Sequence, residues 1–418
     1  MAQIEPLRAL HYDLGVTGGL QDVLAPPYDV IDEAQRAELE ARSPYNVVRI
    51  DLPRGDRPYE QAARRLAGWR ADGAVLADEQ PALWALAQEY TAPGGARRTR
   101  HGILARVRVE EYGAGRIRPH ERTHPGPKED RLRLTRATKA NLSPIFSLFS
   151  DPLGAAADAL QGSMSTEPWS QATDADGTVS RLWRVGEDRA IQTVKETLAT
   201  AELLIADGHH RYETARVYAE EVGGEGPHRY VLMCLVALQD PGLTVFPIHR
   251  LIKDLRPDQR QALAVALARD FEIEALPGSS ALAPASGDRV RVGYLDAFSR
   301  RPSMLTLKDS AIADAALAGH AEAYRQLDTA VLEALVLKGA LRMSDDEIDR
   351  LDNLDYGKDF EQALERVERG DCDAAFFMAP TPIERVQAVA GAGESMPPKS
   401  TYFFPKVPTG LLFHPLDG

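Results

Sequence analysis

Cysteine is nearly missing: Cys234 and Cys372 are the only two among 418 residues, and both sit in apolar, strand-like runs. Two separated thiols give no disulfide framework and fit a reducing compartment, with small core hydrophobes as the plain reading of each. Positive charge is short as well. The 49 Lys+Arg face 62 Asp+Glu, a formal net charge of -13. That balance argues against nucleic acid as a partner, because holding a phosphate backbone needs a basic surface. A local basic pocket for a small phosphorylated ligand remains compatible with it. No apolar run approaches the roughly 20 residues of a membrane span, so no membrane partner is expected. The opening Met1–Arg8 has neither a charged n-region nor an apolar h-region, so no secretory signal is expected and a cytoplasmic location is. Also missing are G-x-x-x-x-G-K-[ST], a G-x-G-x-x-G opening a helix, and any C-x-x-C pair. The usual nucleotide folds therefore have no support.

What is present is an ordinary globular composition, 44% hydrophobic and 27% charged, in a chain long enough for two or three domains. Asp32 can cap a helix running to about Ala41, and a second helix from Tyr59 to Ala71 puts Ala62, Leu66 and Trp69 on one face. Ala82–Thr91 and Arg98–Val109 read as strands joined at Pro93-Gly94-Gly95. Pro125 and Pro127 place the start of the next helix near Lys128, and residues 162–177, rich in Ser, Thr and Asp, read as a loop. A strand at Glu202–Ala206 runs into Asp207-Gly208-His209-His210-Arg211, with a helix expected from Tyr212 to Glu221. Strands and helices without strict βα alternation predict an α+β fold. The pattern changes near residue 255, so the expected domains are 1–255 and an α+β C-terminal domain, 256–418, packing on the first.

The sharpest chemistry lies at Asp207-Gly208-His209-His210-Arg211. Glycine at a strand-to-helix turn lets a ligand approach the backbone, and the first N–H groups of the helix favour an anion. Arg211 adds a guanidinium fork suited to phosphate oxygens, and two histidines can donate or shuttle protons. A capped helix start with surface histidines explains the same residues, and residue chemistry alone divides evenly between the two. His120-Glu121-Arg122-Thr123-His124 matches H-E-x-x-H, which by itself points to a zinc peptidase. Zinc ligation there needs both histidines on one face of an intact helix, and Pro119, Pro125 and Pro127 forbid one. His120 and Glu121 are better read as polar groups available for acid–base work. Lys128, Arg131, Arg133 and Arg136 could supply positive charge to an anionic substrate, but such a charged run is usually a solvated helix face, and only a resemblance to a known family raises the other reading. Asp29, after two prolines, is either a general base or a turn residue, and His249-Arg250 ends a strand as a pocket candidate.

Together these segments resemble the domain-of-unknown-function 1015 family. The resemblance is carried by Ala25-Pro26-Pro27-Tyr28-Asp29-Val30, Ser43-Pro44-Tyr45-Asn46, His120-Glu121 with Thr123, Lys128-Glu129-Asp130-Arg131 and Ser143-Pro144-Ile145-Phe146. It continues through Ala206–Tyr212, Phe246–Arg250 and Met396–Lys406, in order along nearly the whole chain. The Asp-Gly-His-His-Arg segment is similar to the phosphate-binding turn of the ParB/sulfiredoxin superfamily, and most closely to that of free-serine kinases. The resemblance implies a mixed-sheet ParB/sulfiredoxin-like catalytic core in which Gly208, His209, His210 and Arg211 cradle phosphates. Sulfiredoxin chemistry needs a cysteine where this turn has histidine, and the net charge weighs against a DNA-partitioning role.

The expectation is a phosphotransferase acting on a small hydroxyl metabolite, with free L-serine or O-phosphoserine leading and a nucleotide or pyrophosphate as the other reactant. Asp29, His120, Glu121, Asp207 and His209 are the candidate catalytic residues. Lys128, Arg131, Gly208, His210, Arg211 and His249 are the candidate phosphate- or nucleotide-binding residues. Magnesium is the expected cofactor. A phosphoserine phosphatase and a non-catalytic nucleotide-binding module are the alternatives. The sequence sets no oligomeric state.

Overall fold

The computed structural model describes residues 3–92, 95–111, 116–121 and 125–417, with the backbone alone for 125–127. Pro93 and Gly94 of the expected turn, and Arg122, Thr123 and His124 of the H-E-x-x-H segment, lie outside the described residues. The chain divides into two compact units. Unit 1 is Met1–Pro119, Thr123–Leu243 and Pro405–Gly418; unit 2 is His120–Arg122 and Thr244–Phe404. The division thus falls at 243/244, against the expected 255/256, and the final segment returns to unit 1.

Unit 1 is α+β, built on a nine-stranded mixed sheet. Its strands are β1 (Ile4–Glu5), β2 (Leu83–Thr91), β3 (Arg97–Arg108), β4 (Ile117–Arg118), β5 (Ile145–Phe149), β6 (Ser170–Thr173), β7 (Val179–Val185), β8 (Leu203–Asp207) and β9 (Tyr230–Ala237). The order is β4-β8-β5-β9-β3-β2-β7-β6, with β1 against β3. Only β4–β8 and β5–β9 are parallel. Helices of this unit include α1 (Glu33–Arg42), α2 (Pro58–Ala71), α3 (Pro125–Thr138), α4 (Ala155–Met164), α5 (Asp188–Leu198) and α6 (His209–Val222).

Side chains alternate across a strand, so one face of the sheet can be apolar while the other is not. Ile103, Ala105, Ile145, Met233, Leu235, Leu203 and Ile205 bury one face against Leu160, Val194, Leu198, Tyr212 and Ala215 of α4, α5 and α6. Their neighbours in sequence, including Phe146 and Cys234, fall on the other face, in register with each other. That second face also carries Gln88 opposite Arg100 and Ser180 opposite Gln88. It is unusually polar for a buried surface, and the candidate site adjoins it.

Local signals explain most boundaries. Asp32 caps α1 by accepting from the Gln35 N–H at 2.8 Å. Ala62, Leu66 and Trp69 are the buried face of α2, as their spacing predicts. Two expectations need correction. Helix α3 starts at Pro125, three residues before Lys128, because proline is tolerated where helix N–H groups have no partner in the helix anyway. Residues 162–177 are not a loop: α4 runs to Met164, and Ser170–Thr173 pairs with β7. Thr and Ser are acceptable on an edge strand, and the turn between is an Asp174 side chain accepting from Asp176 and Thr178 N–H groups.

Unit 2 holds a six-stranded sheet of β10 (His249–Ile252), β11 (Phe271–Ala275), β12 (Arg291–Asp296), β13 (Ser303–Leu307), β14 (Leu354–Gly357) and β15 (Ala374–Phe377). The order is β11-β13-β12-β15-β10-β14, with every pairing antiparallel. Leu251, Leu295, Ala375 and Phe377 pack there against Ala363 and Val367 of α8 (Phe360–Arg369); α7 (Pro257–Asp270) precedes β11. Cys234 and Cys372 are both buried free thiols. No helix among the described residues is long and apolar enough to cross a membrane.

Candidate functional site

The end of β8 is where unit 1 concentrates charge. Leu203–Ala206 are buried and pair with β5, and the register slips between Ile205 and Asp207. Such a slip re-aims the last side chains of a strand. Gly208 follows with φ 96°, a left-handed conformation, and begins α6 one residue later at His209. A Cβ on Gly208 would lie 3.0 Å from the Arg211 guanidinium. Conformation and space therefore both require glycine there. The helix begins three residues earlier than its apolar spacing indicated, since His209 is itself buried and Tyr212 is the first core residue. The Tyr212 hydroxyl donates to Glu110 O at 2.7 Å and accepts from Glu110 N–H at 2.9 Å, which fixes the helix start.

Two cations converge on Asp207. Arg211 Nη2 bonds its Oδ2 at 2.6 Å, and Lys406 Nζ bonds its Oδ1. Burial alone would raise the pKa of Asp207, but Lys406, Arg211 and His209 outweigh it and hold the carboxyl well below its usual range. Both oxygens of Asp207 are thus engaged by cations, and its proton is strongly disfavoured. Arg211 is further fixed by Ser143 Oγ at 2.5 Å and the Pro144 carbonyl, and Ser143 in turn accepts from Thr409 Oγ1 at 3.0 Å. The Ser143-Pro144 segment is therefore the acceptor pair that orients Arg211. Lys406, Ser143 and Thr409 were not among the candidate site residues. Ser143 and Lys406 do lie in segments that carry the family resemblance, and Thr409 had no signal of its own.

Arg131 is placed differently from expectation. It is buried, and its guanidinium bonds Asp51 Oδ1 at 3.1 Å, Asp51 O at 2.8 Å and Asp130 Oδ2 at 2.6 Å. Its face lies 4.4 Å from the Tyr28 ring centroid. Most of its donors are therefore spent on unit 1 itself, and what it supports is the Pro26–Val30 loop. Asp29 stands exposed on that loop and makes no hydrogen bond or ion pair among the described residues. Lys128, half-buried on the first turns of α3, has no ion pair among the described residues either. Arg211 and Arg131 both act electrostatically on Tyr28 and on Asp51, so this loop lies within the field of the β8 turn. Burial, set against both arginines, leaves the Asp51 pKa raised. The cavity of about 40 Å³ lined by Asp51, Arg131, Ser143 and Arg211 has space on the scale of a water molecule, not of a phosphate group.

His120, Glu121 and His249 belong to unit 2. His120 is buried, with Nε2 2.9 Å from Thr401 Oγ1 and 3.8 Å from Glu121 Oε1. Its carbonyl accepts from the Met396 N–H at 2.6 Å, and Glu121 bridges to Met396. His249 is buried against Phe360 and Phe377, and its Nδ1 accepts from the Met378 N–H at 3.1 Å. Burial, with Arg250 adding to it, pulls its pKa down to about 4. A neutral imidazole with that nitrogen engaged serves this sheet as a hydrogen-bond acceptor. Among the described residues no group of three His, Cys, Asp or Glu side chains is placed to hold a metal ion.

The site is thus that of an α+β protein with a strand–glycine–helix turn built around paired cations. The chain belongs to the family described as Protein of unknown function (DUF1015), whose model matches residues 4–330. Similar solved structures include a conserved hypothetical protein from Pyrococcus furiosus, at 16% identity and a TM-score of 0.37, covering 74% of this chain and 93% of that one. A mutant free serine kinase in complex with ADP is similar at 14% identity and a TM-score of 0.39, covering 74% and 92%. SbnI with a C-terminal truncation, from Staphylococcus aureus, is similar at 11% identity and a TM-score of 0.37, covering 73% and 87%. No curated protein sequence matches the chain significantly.

Proposed function

We propose that this protein is a phosphotransferase acting on a small hydroxyl metabolite, with free L-serine or O-phosphoserine the leading substrate and a nucleotide or pyrophosphate as the second reactant. The observation that carries the reading is the β8 turn: Asp207 gathers Lys406 and Arg211 beside the N-terminus of α6. A helix start with two fixed cations favours the charge of a transferring phosphoryl group. The choice of serine comes from the likeness of the Asp207–Arg211 segment to that of free-serine kinases.

In the reaction, the acceptor hydroxyl oxygen forms a bond to phosphorus as the bridging P–O bond of the donor breaks. The leaving oxygen keeps the electron pair, and the hydroxyl proton passes to a carboxylate. Asp29 is the unit 1 candidate for that acceptor, being exposed and without a partner among the described residues. His209, His210, Arg211, Lys406 and Lys128 would stabilise the phosphoryl oxygens. Magnesium, when bound, would be held chiefly by the substrate phosphates and water, since it needs no dedicated protein cage, and it would neutralise phosphate charge. Asp29 is kept for the hydroxyl proton.

Phosphorus NMR of the purified protein with magnesium, L-serine and, in turn, ATP, ADP or pyrophosphate tests this. A phosphoserine resonance with one donor is the expected result and names that donor. Conversion of O-phosphoserine to free phosphate without an acceptor would replace the kinase reading with a phosphatase. No chemical change alongside thermal stabilisation by a nucleotide would replace it with a binding module.

A further inference from the structure

Four arginines are buried among the described residues: Arg36, Arg100, Arg131 and Arg250. Arg36 pairs with Glu40, and Arg131 pairs with Asp51 and Asp130. Arg250 has no carboxylate partner among the described residues, but it donates to the Ile248 carbonyl and lies over the Tyr356 ring. Arg100 touches no carboxylate among the described residues, although it is only 1% exposed. Its Nη2 donates to Gln88 Oε1, its guanidinium carbon lies 4.3 Å from the Phe146 ring centroid, and its Nη1 is buried with no partner. Burial pulls its pKa down to about 10, which still leaves a cation at neutral pH. The turn at Gly242 crosses its backbone so closely that a Cβ there would lie 2.2 Å from Thr99 O. Asp240 and Asp207 act on it only from beyond hydrogen-bond distance. A buried cation with no carboxylate bonded to it is an unfavourable arrangement, and proteins keep such costs where function uses them.

Arg100 is also wired to the β8 turn. Asp207 is among the charges that act on it. Its stacking partner Phe146 is the ladder partner of Asp207. Gln88, which accepts from Arg100, donates through Nε2 to Lys406 O at 3.1 Å, and Lys406 pairs with Asp207. We propose that Arg100 is a second anion-binding group of the unit 1 site, receiving an oxyanion of the ligand on the sheet side of the Asp207 turn. This rests on the reading of that turn as an anion cradle. The shared chemistry is a group with paired charged oxygens, supplied either by a phosphate of the donor or by the carboxylate of the acceptor.

The test compares the full-length wild type with Arg100→Met, which keeps length and removes charge. Melting is followed without ligand, and binding of pyrophosphate and of L-serine is titrated by calorimetry. Arg100→Met is expected to melt no lower than wild type, since an uncompensated charge has gone. It should lose about tenfold or more in affinity for one ligand, in line with loss of a charge-assisted pair. Loss for pyrophosphate assigns the phosphate, and loss for L-serine assigns the carboxylate. If Arg100→Met is destabilised, Arg100→Lys takes its place in the titration, where the lost fork should again weaken one ligand. A substituted protein that binds both ligands as wild type does overturns this inference and leaves the cradle intact. A wild type that binds neither ligand removes the cradle reading and this inference together.

Discussion

Two strands in this chain carry histidine beside arginine at one end, and they behave in opposite ways. At β8 the pair His209-His210 with Arg211 follows the strand, separated from it by Gly208. At β10 the pair His249-Arg250 opens the strand and is drawn into its sheet. The first ends in a left-handed turn, a helix start and two cations held by one carboxylate. The second ends among phenylalanines, with its imidazole neutral and accepting a backbone N–H. A His-Arg pair is common to both places, while Gly208 stands only at the first. What separates them is whether the backbone leaves the sheet, because a leaving backbone frees N–H groups and side chains for a ligand.

That contrast can be broken or sharpened by substitution. The largest effect is expected at Asp29. Asp29→Asn should lower turnover about 10²–10⁴-fold, the usual range for a general base, while leaving melting unchanged because the side chain is exposed and unpartnered among the described residues. Steady-state kinetics with a melting curve checks both halves. Lys406→Met should lower turnover about 10²–10³-fold, as for loss of one transition-state donor. It should also change the acid response. The depressed pKa of Asp207 gives stability that is present above its unfolded value near ~3.9 and lost as pH falls below it. Without Lys406 that loss becomes shallower, which urea melts from pH 5 downward would record.

Gly208→Ala comes next, through a strained φ and a clash with Arg211, at about 1–3 kcal/mol of stability. Chemical denaturation measures it directly. The smallest effect is at the other strand end. His249→Gln should leave turnover within about twofold, because His249 is placed as a structural acceptor. Its lowered pKa gives the wild type stability that is full above ~6.5, the unfolded value, and is lost as pH falls toward about 4. His249→Gln should flatten that portion of the stability curve.

How far the sequence alone reaches follows from the range of each interaction. Helix α2 was legible because Ala62, Leu66 and Trp69 follow one another at about one turn each, and β8 because four apolar residues run into Asp207 and a glycine. The Asp207–Arg211 turn could be located for the same reason. Its supports could not. Lys406 meets Asp207 across 199 residues, and Ser143 meets Arg211 across 68. Nothing local in Arg131 distinguishes a guanidinium tied to Asp51 and Asp130 from one open to a ligand. Strand β6 was hidden because its Ser-Gln-Ala-Thr sequence looks like a loop until β7 lies beside it. Partner strands, not propensity, made it a strand.

The most direct test of the central claim is isothermal titration of pyrophosphate into three proteins: wild type, His209→Ala and His249→Gln. Binding should be lost in His209→Ala and kept in His249→Gln, with both variants melting as folded proteins. Retained binding in His209→Ala together with loss in His249→Gln would place the anion at the wrong strand end and contradict the account.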